Sequence, residues 1–380
     1  MKQLHHSEND FFSLIKAGLW EGTINPSKLS INNAVNWDDI YQLAEEQSVV
    51  GIVAAGIDWL KNNYPNVTIP KETALQIVGS AMQIEQRNQA MNSFLASVIE
   101  KLRTANIYTL LVKGQGVAQC YERPLWRSCG DIDLLLSQDN YCRAKQLLTP
   151  MALAIEPENE VVKHFGLTID SWTVELHGSL RSGALRKMDK LIDEVQNDVF
   201  NYGNVRSWMN GKTQIFIPSS DNDVIFVFTH ILKHFFHGGI GLRQVCDWCR
   251  LLWTYKDSIN RKLLKERIEK AGLMSEWKSF ASLAVKYLGM PVEAMPFYSP
   301  KAYWSRKAKR IKDIIIKSGN FGQNINYNKH QEQPLVIKKL QSFNRYFRDF
   351  ISQFMVFPKD AVSVWCWVLK VGASTMLERT

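Results

Sequence analysis

The chain has 380 residues, 46% apolar and 22% charged, which is enough to build a packed core and excludes extended disorder. No uncharged apolar run approaches the ~18–20 residues that span a bilayer, no signal peptide is recognisable, and six sparse cysteines are expected to be free thiols of a cytoplasmic protein. The net charge of +9 is uneven: residues 301–380 carry 15 Lys/Arg against 5 Asp/Glu, while the first 300 hold 31 against 32. Such a tail either forms a solvated basic face or meets an anionic partner: a membrane surface, nucleic acid or an acidic protein.

In chain order, residues 1–105 read as helical. A helix is expected from Trp37, with two acids in its first turn, through Asn63. A longer one runs from about Lys71 to Ala105, with Leu75, Val78 and Met82 on one face. From Ile107 the pattern changes. IYTLLVKG is a short buried strand ending in a tight turn, DIDLLLS a second strand, and DNYCRAKQLLTPM a helix. HFGLTID and WTVELHG, split at Asp170-Ser171, read as a hairpin. A helix over about 185–199 precedes a second hairpin around Asn210-Gly211. From Ser219 the chain is helical again, the first helix ending at Gly238-Gly239. Pro291, Pro296 and Pro300 mark a linker, and two or three basic helices follow, interrupted by the polar stretch 318–333. The division is therefore 1–105 (helical), 106–220 (α+β core), 221–295 (helices on the core) and 296–380 (basic, aromatic-rich tail).

The chemistry concentrates in RSCGDIDLLL, residues 127–136. Asp131 and Asp133 alternate along a strand, so both carboxylates leave one face. At ~4 Å and an effective dielectric of ~20 their repulsion is about 4 kcal/mol, which a shared proton or a cation relieves. Hard oxygen donors on a rigid strand suit Mg²⁺ or Mn²⁺, with phosphate oxygens completing the shell. Just upstream, Lys113, Gly114 and Gly116 form a turn in which backbone N–H groups can approach phosphate, although no P-loop motif is present. Glu175, flanked by Val174 and Leu176, either points to solvent or completes a three-carboxylate cluster.

The segment LVKGQGVAQCYERPLWRSCGDIDLLL, with VELHGSL and FTHILKHFFHGGIGLRQVCDWCRLL, resembles a family of uncharacterised bacterial nucleotidyltransferases, often found with polysaccharide-assembly genes, within the DNA polymerase β-like superfamily. The resemblance implies an α+β fold: a small mixed sheet with helices, flanked by helical regions. It implies a metal-dependent transfer of NMP from an NTP to a hydroxyl of a sugar, small molecule or protein. Asp131 and Asp133 would hold Mg²⁺ or Mn²⁺, and Glu175 would bind a second ion or take the acceptor's proton. Lys113 and Arg127 would steady the triphosphate. Gln115 departs from the Gly-Ser or Gly-Gly of the superfamily turn, which favours a second reading, a nucleotide-binding or scaffold protein without chemistry. A third is an RNA-modifying transferase that holds RNA with its tail.

Weaker signals follow. His230, His234 and His237 share a helical face, and the resemblance places such histidines beside Arg243 and Asp247. They either line the nucleotide or acceptor pocket or pack between helices. The metalloprotease Glu is absent, since position 231 is Ile. Cys246-x-x-Cys249 sits inside an apolar helix and reads as core. Gly211-Lys212-Thr213 falls at a hairpin turn and reads as structural.

Overall fold

The computed structural model of the protein describes residues 2–23, 35–64, 67–320 and 335–377. It opens with helices α1 (Lys2–Leu19), α2 (Trp37–Glu46), α3 (Val50–Asn63) and α4 (Lys71–Thr104). α1 and α3 touch backbone to backbone. A Cβ on Gly18 would lie 1.9 Å from the Ile52 carbonyl oxygen, and one on Gly56 2.1 Å from that of Leu14, so the crossing requires glycine at both positions.

The single helix expected over 37–63 is two. The break falls at Gln47, whose fully buried amide accepts from Leu242 N (3.0 Å) and donates to the Ile315 carbonyl (3.2 Å). Ser48 then takes a left-handed φ of 55°. The buried face of α4 also differs from expectation. Ile77, Ala81, Met91 and Leu95 point inward, whereas Leu75, Val78 and Met82 are exposed.

The α+β class is as expected. Among the described residues a five-stranded sheet has the order β1 (Leu110–Val112), β2 (Asp131–Leu135), β5 (Trp172–His177), β4 (His164–Ile169), β3 (Ala154–Ile155). β2 and β5 are parallel and the other neighbours antiparallel, so the sheet is mixed. α5 (Gly114–Ala118) follows β1, and α6 (Gln138–Leu148) follows β2. Alternation gives the sheet two different faces. Ile132, Leu134, Val174 and Leu176 pack with Leu95, Val98 and Leu102 of α4 and with Tyr141 and Leu148 of α6. The opposite face carries Asp131, Asp133, Glu175 and His177.

α7 (Arg186–Tyr202) leads to the hairpin of β6 (Val205–Asn210) and β7 (Thr213–Pro218), with Gly211 at its turn. Lys212 and Thr213 follow it at the hairpin turn, where the sequence places them. α8 (Ser220–Phe236) and α9 (Leu242–Thr254) line one cavity with that second face of the sheet. α10 (Arg261–Lys270), α11 (Met274–Leu288) and α12 (Ala302–Ser318) complete the helical body. Its core packs Phe228, Trp248 and Trp277 with ring centroids 4.8–5.3 Å apart. Cys246 and Cys249 lie in the same core, their thiols pushed up by burial.

The proline-rich segment is packed rather than a loose linker: Ala294 and Met295 are buried, and Trp277 Nε1 donates to the Pro296 carbonyl at 2.8 Å. In the tail, α13 (Leu335–Phe354) and α14 (Pro358–Leu377) follow, while residues 321–333 of the polar stretch lie outside the described residues. The tail is anchored. Gln353 Nε2 donates to the Phe235 carbonyl, Phe357 packs on Phe235 and Phe236, and Lys187 pairs with Asp360 at 2.8 Å. No helix among the described residues is long and apolar enough to cross a membrane.

Candidate active site

The strand register assembles the acids. Parallel pairing of β2 with β5 sets Asp133 beside Glu175, with Asp131 two residues earlier on the same face. Oxygens of Asp131, Asp133 and Glu175 all lie within 4.8 Å of one another. The charge of Asp133, then burial, raises the Asp131 carboxyl above its ordinary range. Burial would also raise Asp133, but the Lys113 ammonium at 2.7 Å and His177 Nε2 at 2.8 Å together hold it low. Burial works against Glu175 too, and is overcome by hydrogen bonds from His164 (3.1 Å) and His177 (3.3 Å). The carboxylates raise His177 and Lys113 in turn, against their own desolvation. Three hard-oxygen donors at this spacing fit a divalent cation such as Mg²⁺ or Mn²⁺.

Lys113 reaches Asp133 from a strained turn. Its φ of 60° and ψ of −144° fall in a region that costs a non-glycine residue roughly 1–3 kcal/mol, and Gly114 follows at φ 44°. Gln115, the departure noted above, faces away from the carboxylates. Its Nε2 donates to Asn88 Oδ1 at 2.8 Å and approaches Met91 Sδ at 3.4 Å, tying the turn to α4.

Opposite the acids stands a basic wall from α8 and α9. His230, Lys233 and His234 occur at i, i+3 and i+4 and share a face; Arg243 comes from the first turn of α9. Burial, then the neighbouring cations, lowers all four, His234 to about 3. Arg243 donates through Nη1 to the Ser128 carbonyl at 2.6 Å, while its buried Nε has no partner. Acids and cations enclose a cavity of about 410 Å³, within the range of small-molecule sites. The lowered His230 and His234 stand as neutral imidazoles beside the charged Lys233 and Arg243, and two desolvated cations facing one cavity are stabilised by an anion.

Asp131, Asp133, Glu175, Lys113, Gly114, Arg127, His230 and His234 all line this cavity. Gly116 does not: a Cβ there would meet Ile217 Cγ2 at 3.2 Å, so it serves the packing of α5 on β7. Arg127 lines the cavity with its donors engaged. Nε and Nη2 donate to Asp247 at 2.9 and 2.6 Å, and Nη1 to the Ser128 carbonyl at 3.1 Å. His237 packs on Trp367 instead of joining the lining. The residues that sequence reasoning passed over are His164, His177 and Lys233. The signal for His177 was present, because it follows Glu175 at the same two-residue spacing that links Asp131 to Asp133.

A model of a family described as uncharacterised nucleotidyltransferase matches residues 33–289, which spans α2 to α11 and every acid of the site. The chain belongs to this nucleotidyltransferase family. No curated protein and no solved structure matches it. The protein is thus a nucleotidyltransferase by family, and its membership places the Asp131–Asp133 strand, the Glu175 strand and the α8–α9 wall within the shared unit.

Proposed function

We propose that the protein transfers a nucleoside monophosphate from an NTP to a hydroxyl acceptor, using Mg²⁺ or Mn²⁺. The observation that carries this reading is the facing of three converging carboxylates and the Lys233 and Arg243 side chains across one cavity. Asp131, Asp133 and Glu175 would hold the cation, which when bound supplies charge neutralisation and Lewis-acid activation at phosphate. Lys113 sits at the floor, where its ammonium offsets charge on the α-phosphate side. His230, Lys233 and Arg243 receive the β- and γ-phosphates and stabilise the departing pyrophosphate. Glu175, held ionised by two imidazoles, suits ligation better than proton transfer. The bracing of Gln115 to α4 and the presence of all three acids support the transferase over the scaffold reading.

The test uses NTPs labelled at the α- or the γ-phosphate, with hydroxyl acceptors from a cell extract. Transfer of α-label to an acceptor with release of unlabelled pyrophosphate supports the reading. Transfer of γ-label alone would make the protein a phosphotransferase.

For the tail we propose an anionic lipid surface as partner. Its supporting observation is that α13 and α14 expose Phe347, Ile351, Phe354 and Val362 next to Arg348 and Lys359. Co-sedimentation with phosphatidylserine vesicles but not with neutral ones is expected. Binding to RNA in preference to vesicles would favour the RNA-directed transferase instead.

A further inference from the structure

We propose that His164, Glu175 and His177 form a second cation site, selective for borderline divalent metals such as Zn²⁺, beside the all-oxygen pair Asp131 and Asp133. Strand pairing builds it. β4 and β5 place His164 directly opposite His177 across the antiparallel ladder, and Glu175 precedes His177 by two residues on the same face. All three donors therefore come from rigid strands of one hairpin rather than from loops.

The geometry is that of ligands around one point. His164 Nε2 and His177 Nε2 lie 3.1 and 3.3 Å from the same oxygen, Glu175 Oε2, and the two rings are 5.0 Å apart. With metal–donor bonds of about 2.0–2.1 Å, adjacent donors sit about 2.9 Å apart in an octahedron and about 3.4 Å apart in a tetrahedron. Both observed separations fall in that interval. Three donor atoms within 4.8 Å of one another complete the set.

The donor chemistry differs from that of the neighbouring carboxylates. Two imidazole nitrogens and one carboxylate select Zn²⁺, Co²⁺ or Mn²⁺ over Mg²⁺, which prefers oxygen and water. His164 is 28% exposed and opens on the cavity, so the site has an entry path. Without metal, His177 Nε2 donates its proton to Asp133 Oδ1 at 2.8 Å. Ligation replaces that proton, which leaves to solvent. Glu175 is shared, so a cation held by the histidines draws it from the Asp131–Asp133 set. The inference requires the hairpin alone and stands whether or not nucleotide transfer is found.

The test is Co²⁺ titration of the full chain, followed by visible d–d absorption, with Zn²⁺ and Mg²⁺ as competitors. One equivalent of Co²⁺ should bind with bands of nitrogen ligation, be displaced by Zn²⁺ and resist millimolar Mg²⁺. His164→Ala should weaken binding by at least ~10-fold, and Asp131→Asn should leave it unchanged. His164→Gln, which retains a hydrogen bond to Glu175, should weaken it equally and guards against a folding defect in the alanine variant. Binding indifferent to both His164 substitutions, binding lost equally in Asp131→Asn, or no d–d absorption would each overturn the proposal.

Discussion

Asp247→Ala is the perturbation with the clearest structural arithmetic. Asp247 is 5% exposed and accepts Arg127 Nε at 2.9 Å, Arg127 Nη2 at 2.6 Å and Tyr121 Oη at 2.8 Å. The substitution leaves a buried guanidinium without its counter-charge and a buried hydroxyl without its acceptor. Breaking a buried pair from one side costs about 3–5 kcal/mol, and an orphaned hydroxyl about 1–3, partly the same loss. We expect about 4 kcal/mol in total. With a urea m-value of about 3 kcal/mol/M the unfolding midpoint should fall by ~1 M. Arg127→Met/Asp247→Leu removes both charges and leaves mainly the Tyr121 hydroxyl unpaired, so it should recover at least ~2 kcal/mol of that loss. Equilibrium urea unfolding followed by tryptophan fluorescence measures all three proteins. A loss under ~1 kcal/mol for Asp247→Ala, or a double variant no better than the single, would mean that the Arg127–Asp247 pair does not carry this energy.

Other expectations follow from single positions. Gly56→Ala drives a methyl into the Leu14 carbonyl and should destabilise the α1–α3 crossing by several kcal/mol or abolish soluble expression, read by thermal unfolding. Asp223, pushed up to about 6 mainly by burial, is more stable protonated in the fold. Its contribution is therefore complete below pH ~3.8, its unfolded pKa, and is lost as pH rises through 6. Comparing urea stability at pH 4.5 and 7, Asp223→Asn should shrink the pH-dependent loss by about 2 kcal/mol; identical slopes would contradict it. Lys113→Met, which removes the ammonium at Asp133, should cut NMP transfer by roughly 100-fold or more without loss of fold, checked by single-turnover kinetics and circular dichroism.

How far the site could be read from sequence depended on its range along the chain. Alternation exposed Asp131 and Asp133, because a two-residue period needs no tertiary information. The same period, together with a two-residue turn at Asp170-Ser171, also fixes His164 opposite His177; that register was available and not used. The Arg127–Asp247 pair joins residues 120 apart, and nothing local distinguishes a guanidinium bound for phosphate from one bound for a buried carboxylate. The break at Gln47 has the same origin, since its partners are Leu242 and Ile315. On α4 two apolar rows compete for the core. Packing in the helical core selects Ile77 and Ala81, packing on the sheet selects Met91 and Leu95, and Leu75, Val78 and Met82 are left to solvent.

If Asp131 and Asp133 serve nucleotidyl transfer, release of pyrophosphate needs both carboxylates. The most direct measurement is pyrophosphate release from the four NTPs with Mg²⁺ or Mn²⁺ and an acceptor extract, comparing wild type with Asp131→Asn/Asp133→Asn. Release by the wild type and a loss of at least ~100-fold in the double variant, with the fold retained, are expected. Release at equal rates by both proteins would contradict that role of the two aspartates.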